Sequence, residues 1–353
     1  MGLKHYLSDV ACKRRTASPL IKAGLTSLSY LYRAALHMRH AAYDRKWLPV
    51  TKLSRPVISV GNIAVGGTGK TPFVQLLASV LQPFCRVAIL SRGYGSQIER
   101  SGKSVKVASG GKPFFTPKEC GDEPFCLGQQ TSADIWIGRD RVLSGQRAIE
   151  AGAECLLLDD GLQHRRLHRD WELILIDGQD PFAQGEFLPH GWLRDLPTRL
   201  GEADLLIANP LRDLTAYKQK QTLLKSYTEA PLLAVYPELV QRQVWAQKRV
   251  SVFCGLGRPE RFIHALKEAG CTLVDTLFLL DHQRPTEAEL SQFAKASQKK
   301  GADCILCTRK DWVKLREDFV CALPIVAVDM QLKISEGQEH WDTLIDNILK
   351  MRA

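Results

Sequence analysis

The run Gly66-Gly67-Thr68-Gly69-Lys70-Thr71 has residue types and spacing suited to holding a nucleotide. It follows the apolar stretch Val57–Val60 and is followed by Pro72 and a helical pattern that reaches Leu81. A strand, a glycine-rich loop and a helix N-terminus together make a phosphate cradle. Successive backbone N–H groups point inward, Lys70 reaches the β- and γ-phosphates of ATP, and the Thr71 hydroxyl binds Mg2+. Pro72 suits the first helical turn, which has no use for its N–H. The general pattern has Gly five residues before Gly69, where this chain has Ala64; Gly66 and Gly67 supply the freedom there instead.

A second group is Cys155-Leu156-Leu157-Leu158-Asp159-Asp160-Gly161. An apolar strand ending in acids matches the magnesium-holding strand of P-loop enzymes, and ligand sites of parallel sheets lie at the carboxyl ends of strands. Taken alone, the acids could equally cap a helix. Gln163-His164-Arg165-Arg166 follows and adds polar and basic groups. Three further groups are less specific by spacing: Gly121-Asp122-Glu123-Pro124, which also reads as a helix cap; Asp281-His282 before Pro285, which also reads as a surface turn; and Ser91-Arg92-Gly93-Tyr94-Gly95 after a strand, a possible ligand loop.

The elements that must position these residues are short apolar runs alternating with helical patterns. Strands are predicted at Val57–Val60, Arg86–Leu90, Asp134–Ile137, Cys155–Leu158, Leu173–Ile176 and Leu205–Ala208, then at Leu232–Val235, Val250–Cys254, Thr272–Val274, Cys304–Cys307 and Ile325–Val328. Helices are predicted at Pro72–Leu81, Asp140–Ala151, Arg258–Ala269 and Thr286–Lys299, and Ser91–Gly111 reads as a loop or hairpin. Such alternation predicts an α/β fold: a P-loop NTPase-like parallel sheet with helices on both faces, plus a second, smaller α/β lobe. The expected organisation is a basic amphipathic segment over 1–50, a P-loop domain over 51–230, a linking ribbon over 231–248, the smaller lobe over 249–330, and a C-terminal helix over 331–353, its packing on the first lobe left open by the sequence.

The 353 residues are 45% hydrophobic and 24% charged, enough to bury a core and too apolar for disorder. Residues 1–50 hold nine Lys/Arg against two Asp, so most of the +10 net charge sits there. A focused basic segment suits an anionic lipid surface or nucleic acid. Leu20–Leu36 is broken by Lys22 and Arg33 and is too short to span a bilayer. Its apolar residues Ile21, Leu25, Leu28, Tyr32 and Leu36 have helical spacing, which suits a membrane interface or the protein's own core. No nucleic-acid recognition motif is present, and the aromatic-basic mixture over Tyr30–Trp47 suits a membrane interface. The ten cysteines show no disulfide framework, and several lie in apolar runs, as buried thiols of a reducing compartment do. Cys304 and Cys307 form a CxxC, but within a strand and with no second pair to complete a zinc site.

Together and in this order, these stretches resemble the tetraacyldisaccharide 4′-kinase family, the lipid A 4′-kinases of Gram-negative bacteria. The matching residues are Val60-Gly61-Asn62 with Gly66–Pro72, Ser91–Gly95, Gly121–Pro124, Asp159–His164, Leu188–Asp195, Asp281-His282 and Thr308–Asp311. The resemblance implies transfer of the γ-phosphoryl group of ATP to the 4′-hydroxyl of a tetraacylated glucosamine disaccharide 1-phosphate. It implies Asp122 as the base paired with His282, and charge neutralisation by Lys70 and by Mg2+ held by Thr71 with Asp159 or Asp160. Glu123 is expected near the metal, and Tyr94, Gln163, His164, Arg194 and Asp195 near the metal or the substrate head group. The implied setting is a monomer peripheral to the cytoplasmic face of the inner membrane, docked through the N-terminal helix and without a nucleic-acid partner. The chain departs from the family at Arg309, where Glu is usual, and at Asp195, where Glu is commoner.

The rival reading is a membrane-associated P-loop ATPase or GTPase switch. A GTPase should show Asn-Lys-x-Asp for guanine; none occurs, and Thr308-Arg309-Lys310-Asp311 has its Lys one place late. Switch ATPases often carry a second Lys just before the Gly-Gly of the loop, where this chain has Val65.

Overall fold

The computed structural model describes residues 18–279, 283–316 and 318–351. Its strands in chain order are β1 (Val57–Asn62), β2 (Val87–Ser91), β3 (Val105–Ser109), β4 (Lys112–Pro113), β5 (Asp134–Ile137), β6 (Cys155–Asp159), β7 (Trp171–Asp177), β8 (Leu205–Asn209), β9 (Leu232–Leu239), β10 (Arg249–Cys254), β11 (Thr272–Phe278), β12 (Cys304–Thr308), β13 (Ile325–Val328) and β14 (Met330–Glu336). The strands and helices named from sequence are all present, with ends shifted by a few residues. The segment read as a loop or hairpin, Ser91–Gly111, contains a short helix, Gln97–Ser101, and the strand β3, which forms a hairpin with β4.

Two compact units divide the chain. The first takes the residues up to Ser91, Asp140–Tyr236 and those from Ile334; the second takes Arg92–Arg139 and Pro237–Lys333. The division cuts across the linear plan read from sequence, because Arg92–Arg139 groups with the C-terminal lobe rather than with the P-loop.

In the first unit the strands run in the order β14-β9-β8-β7-β1-β6-β2. Pairing is parallel for β8–β9, β7–β8, β1–β7, β1–β6 and β2–β6. Every residue of β1, β6 and β8 is buried. Continuous apolar runs, rather than alternation, are what parallel strands covered on both faces require. The C-terminal helix Gln338–Lys350 belongs to this unit, and Trp341 meets Phe73 edge-on with ring centroids 5.7 Å apart. Phe73 lies on the helix Lys70–Leu81 that the glycine loop opens.

The N-terminal helix, Pro19–Asp44, starts at Ser18, whose side chain accepts from the Ile21 N–H. The apolar face read from sequence is divided in the fold. Leu25 and Leu36 are buried, and Tyr32 packs against the same core as Leu36, Ile63, Leu162 and Leu193. Ile21 and Leu28 stay exposed, with Leu20, Leu31 and Met38. Two polar residues, Ser29 and His40, complete the inward face, each at i+4 from a buried leucine, Leu25 and Leu36. Among the described residues no helix is long and apolar enough to cross a membrane.

The second unit holds a sheet in the order β11-β10-β12-β13, parallel throughout. The helices Pro259–Glu268 and Glu287–Lys299 contribute Phe262, Leu266 and Leu290 to its core. Thr286 and Glu289 form a reciprocal capping box at the start of the second helix. The strand β3 pairs antiparallel with both β4 and β5. Among the described residues the cysteines form no disulfide.

One close approach sets the site. A Cβ on Gly61 in β1 would strike the Leu162 Cβ and come within 2.8 Å of the Leu162 backbone nitrogen. Only glycine lets β1 lie this near the loop that follows Asp159 and Asp160. Gly61→Ala is therefore expected to destabilise the protein by about 1–3 kcal/mol, as overpacking does. Urea unfolding beside Gly24→Ala, where a Cβ meets nothing within 4 Å, checks this; equal effects of the two changes would contradict the assigned constraint.

Candidate active site

The glycine loop lies between β1 and the helix Lys70–Leu81. Gly69 adopts φ +90 as the N-cap of that helix, a left-handed conformation that side chains disfavour. A Cβ there would also collide with the Asn209 amide. Two asparagines brace the loop. Asn62, the last residue of β1, donates from Nδ2 to Thr68 Oγ1 at 2.8 Å. Asn209, the last residue of β8, donates from Nδ2 to the Thr68 carbonyl at 2.8 Å. Thr68 is buried, while Gly66 and Gly67 have open space at their Cβ positions.

Lys70 turns back toward the strand ends. Its Nζ donates to Asn62 Oδ1 at 3.2 Å and lies 3.4 Å from Asp160 Oδ1. Arg194 approaches the same groups: Nη1 donates to Asp160 Oδ2 at 2.9 Å, and Nη2 contacts Asp160 Oδ1 and Asn62 Oδ1. Asp160 holds this position with φ +62, a strained value for a residue other than glycine. Burial pushes the Asp160 carboxyl up, but Lys70 and Arg194 outweigh burial and hold it well below the usual carboxylate range. Burial lowers the Lys70 ammonium from its ordinary value, against the opposing pull of Asp160. Asp159, at the end of β6, is buried and accepts from Ser91 Oγ at 3.4 Å.

Gln163 and Asp195 lie one layer behind. Gln163 Nε2 donates to the Asn62 carbonyl and to Asp195 Oδ2, each at 3.0 Å. Asp195 is fully buried and meets His40 Nε2 at 2.7 Å through Oδ1, which also accepts from the Leu196 N–H at 2.9 Å. Burial raises its pKa, but the His40 hydrogen bond, followed by the Leu196 and Gln163 bonds, brings it below the ordinary value. His164 donates its backbone N–H to the Gly161 carbonyl at 2.7 Å. Its ring is lowered to about 4, by burial first and then by Arg141, so it is neutral at physiological pH.

In the first unit the fold thus brings together Lys70, Asp160 with Gln163, and Arg194 with Asp195, from three segments far apart in sequence. In the second unit Asp122 and Glu123 open the helix Asp122–Gln130. Asp122 Oδ1 lies 3.9 Å from Arg284 Nη2, and Glu123 Oε1 accepts from Lys310 Nζ at 3.1 Å. Tyr94 is exposed beneath the Arg92 guanidinium, and its neighbour Gly93 lies beside Gly121. His282, named from sequence as the partner of Asp122, lies outside the described residues.

Three contributors escaped the sequence reading: Asn62 and Asn209 as loop braces, and His40 as the partner of Asp195. A signal for the first two exists. The parallel strands β1, β6, β7 and β8 end in Asn62, Asp159, Asp177 and Asn209, all buried polar residues. Polar side chains at that end of apolar strands mark the ligand edge of such a sheet. In the first unit the oxygens of Thr71, Asp159 and Asp160 are hard donors, the class that Mg2+ requires.

The chain is similar to known proteins along most of its length. The family described as tetraacyldisaccharide-1-P 4′-kinase matches residues 21–350. A tetraacyldisaccharide 4′-kinase of Geobacter metallireducens is 38% identical over 339 residues, covering 94% of this chain and 99% of that protein. One of Chlamydia pneumoniae is 37% identical over 312 residues, covering 84% of this chain and 83% of that one. The crystal structure of the "apo" form of LpxK from Aquifex aeolicus in complex with ATP superposes with a TM-score of 0.73 at 30% identity, covering 93% of this chain and 99% of that one.

The lowered Asp195 carboxyl has a consequence for acid stability. Its contribution is fully present above the unfolded carboxylate value of about 4 and is lost as pH falls through its lower native value. Asp195→Asn should therefore be less stable than the parent at neutral pH, by a margin that shrinks below about pH 4. Urea titrations of both proteins at several pH values measure that margin; a margin independent of pH would contradict the assigned pairing.

Proposed function

Because this chain belongs to the tetraacyldisaccharide-1-P 4′-kinase family, we propose that it transfers the γ-phosphoryl group of ATP to the 4′-hydroxyl of tetraacyldisaccharide 1-phosphate. The observation that carries this reading is the cluster of Lys70, Asn62, Asp160 and Arg194 at the glycine loop. Phosphoryl transfer asks a protein mainly for positioning and charge neutralisation, and this cluster is built for both.

In the proposed reaction the 4′-oxygen attacks Pγ, the bond from Pγ to the β,γ-bridging oxygen breaks, and ADP leaves. The hydroxyl proton passes to the Asp122 carboxylate, with His282 as its partner. Lys70 neutralises charge on the transferred group, and backbone N–H groups of Gly67–Lys70 hold the phosphates. Thr71 and Asp159 or Asp160, with Glu123, would hold Mg2+, which when bound neutralises phosphate charge. Arg194 keeps Asp160 in place, Gln163 supports Asn62 from behind, and Tyr94 and His164 take the substrate side. The exposed Leu20, Leu28, Leu31 and Met38 of the N-terminal helix, with its basic residues, support docking on an anionic membrane. On this reading the enzyme is a monomer, peripheral to the cytoplasmic face of the inner membrane.

The direct test incubates detergent-solubilised protein with γ-labelled ATP, Mg2+ and tetraacyldisaccharide 1-phosphate. Label should enter the lipid, be lost with Lys70→Ala, and fall by roughly a hundredfold or more with Asp122→Ala, as for a general base. A folded, ATP-binding parent that labels no lipid would overturn the assignment, and turnover of ATP without the acceptor would favour the switch ATPase.

A further inference from the structure

The helix Pro19–Asp44 is joined to the glycine loop by an unbroken series of hydrogen bonds, and its central member has no role in the reaction as described. His40 is 6% exposed and meets Asp195 Oδ1 through Nε2 at 2.7 Å. Its other ring nitrogen faces Arg165 Nη1 at 3.2 Å. Arginine can only donate, so Nδ1 accepts and the ring proton sits on Nε2, directed at Asp195. Arg165 is held in turn by Asp44 of the same helix, at 2.7 Å.

From Asp195 the series continues through Gln163 to the Asn62 carbonyl, each step 3.0 Å. The Asn62 side chain is where Lys70 and Arg194 meet. Two shorter ties run beside it. Tyr32 donates to the Arg194 carbonyl at 2.9 Å, and Arg39 donates to the Gln163 carbonyl at 2.6 Å. One helix thus holds both Arg194 and Gln163 from behind, while its opposite face carries the exposed apolar side chains.

We propose that His40 is a positioning residue for the nucleotide site: through Asp195 it fixes Gln163 and Asn62, so the seating of the N-terminal helix sets the affinity for MgATP. A purely structural role would lower stability alone. A positioning role weakens nucleotide binding in a protein that remains folded, and it does so only while Asp195 can accept from residue 40. This inference concerns the nucleotide site alone and does not depend on the identity of the phosphoryl acceptor.

The experiment measures binding of a fluorescent ATP analogue with Mg2+ to the full chain, without acceptor lipid, and thermal melting of every variant. His40→Phe keeps bulk but removes the donor; affinity should fall about fivefold or more, within the usual range of coupling between sites. His40→Gln, which can donate to Asp195 and accept from Arg165, should restore most of that loss. In an Asp195→Leu background, which has no acceptor for residue 40, His40→Phe should add nothing further. Steady-state kinetics should show the loss in KM for MgATP, with kcat nearly unchanged. Folded His40→Phe with parental affinity, or an equal loss in the Asp195→Leu background, would overturn the proposal. Should His40→Phe not fold, Tyr32→Phe removes one hydroxyl from the parallel tie; weaker binding, by about twofold or more, supports the inference, and unchanged binding refutes it. Failure of lipid labelling alongside these results would sink the acceptor assignment and leave the helix coupling standing.

Discussion

Lys70 and Arg194 both press on the carboxylate of Asp160, and the first unit is arranged around keeping those two like charges together. Repulsion between them would drive the pair apart in a partly buried setting, where charges are weakly screened. Asp160 lies between them and Asn62 adds an acceptor to each. The arrangement costs a strained backbone at Asp160 and requires glycine at position 61. Removing Asp160 would leave two cations facing each other without compensation, so the carboxylate is the member the cluster cannot lose.

The N-terminal helix has a divided task that follows from its sequence. A helix with apolar residues on one stripe normally turns that stripe inward. Here the inward stripe mixes Leu25, Ser29, Tyr32, Leu36 and His40, and each polar member has a buried partner: Ser29 donates to the Phe187 carbonyl at 2.8 Å, and His40 faces Asp195. The leucines released from that duty, Leu20, Leu28 and Leu31, remain on the outside. Hydrogen bonds rather than bulk apolar area give the helix its register, because Ser29, Tyr32 and His40 can reach their acceptors in only one rotation about the axis. A helix fixed in this way can present an apolar outer face without rolling to bury it.

Much of the first unit was legible in the sequence, and the reason is locality. A phosphate cradle depends on backbone N–H groups of neighbouring residues, so Gly66–Thr71 carries its own signature. Strands of a covered parallel sheet are continuous apolar runs, so Val57–Val60 and Cys155–Leu158 stood out. The bracing residues did not, because each is a single polar side chain recruited across the fold: Asn209 reaches Thr68, and His40 reaches Asp195. Periodicity also assigned Ile21 and Leu28 to the face of Leu25, since hydrophobicity patterns take no account of which polar residues have partners inside. The grouping of Arg92–Arg139 with Pro237–Lys333 was hidden for the same reason: nothing in a linear reading shows which distant segments share a compact unit.

The choice of arginine at position 194 follows from what Lys70 has to do in the proposed reaction. To neutralise a γ-phosphate, the ammonium must exchange Asn62 and Asp160 for phosphate oxygens. Asp160 would then lose one of its two cations while a highly charged triphosphate arrives nearby. A lysine at position 194 could follow the phosphates and leave the carboxylate bare. Arginine holds a carboxylate through two parallel N–H groups and gives up that geometry reluctantly. Its backbone is pinned as well, by the Tyr32 hydroxyl on its carbonyl and by its own N–H on the Ile63 carbonyl at 2.9 Å. Arg194 therefore stays with Asp160 as Lys70 moves, and the departing cation leaves behind a carboxylate still compensated.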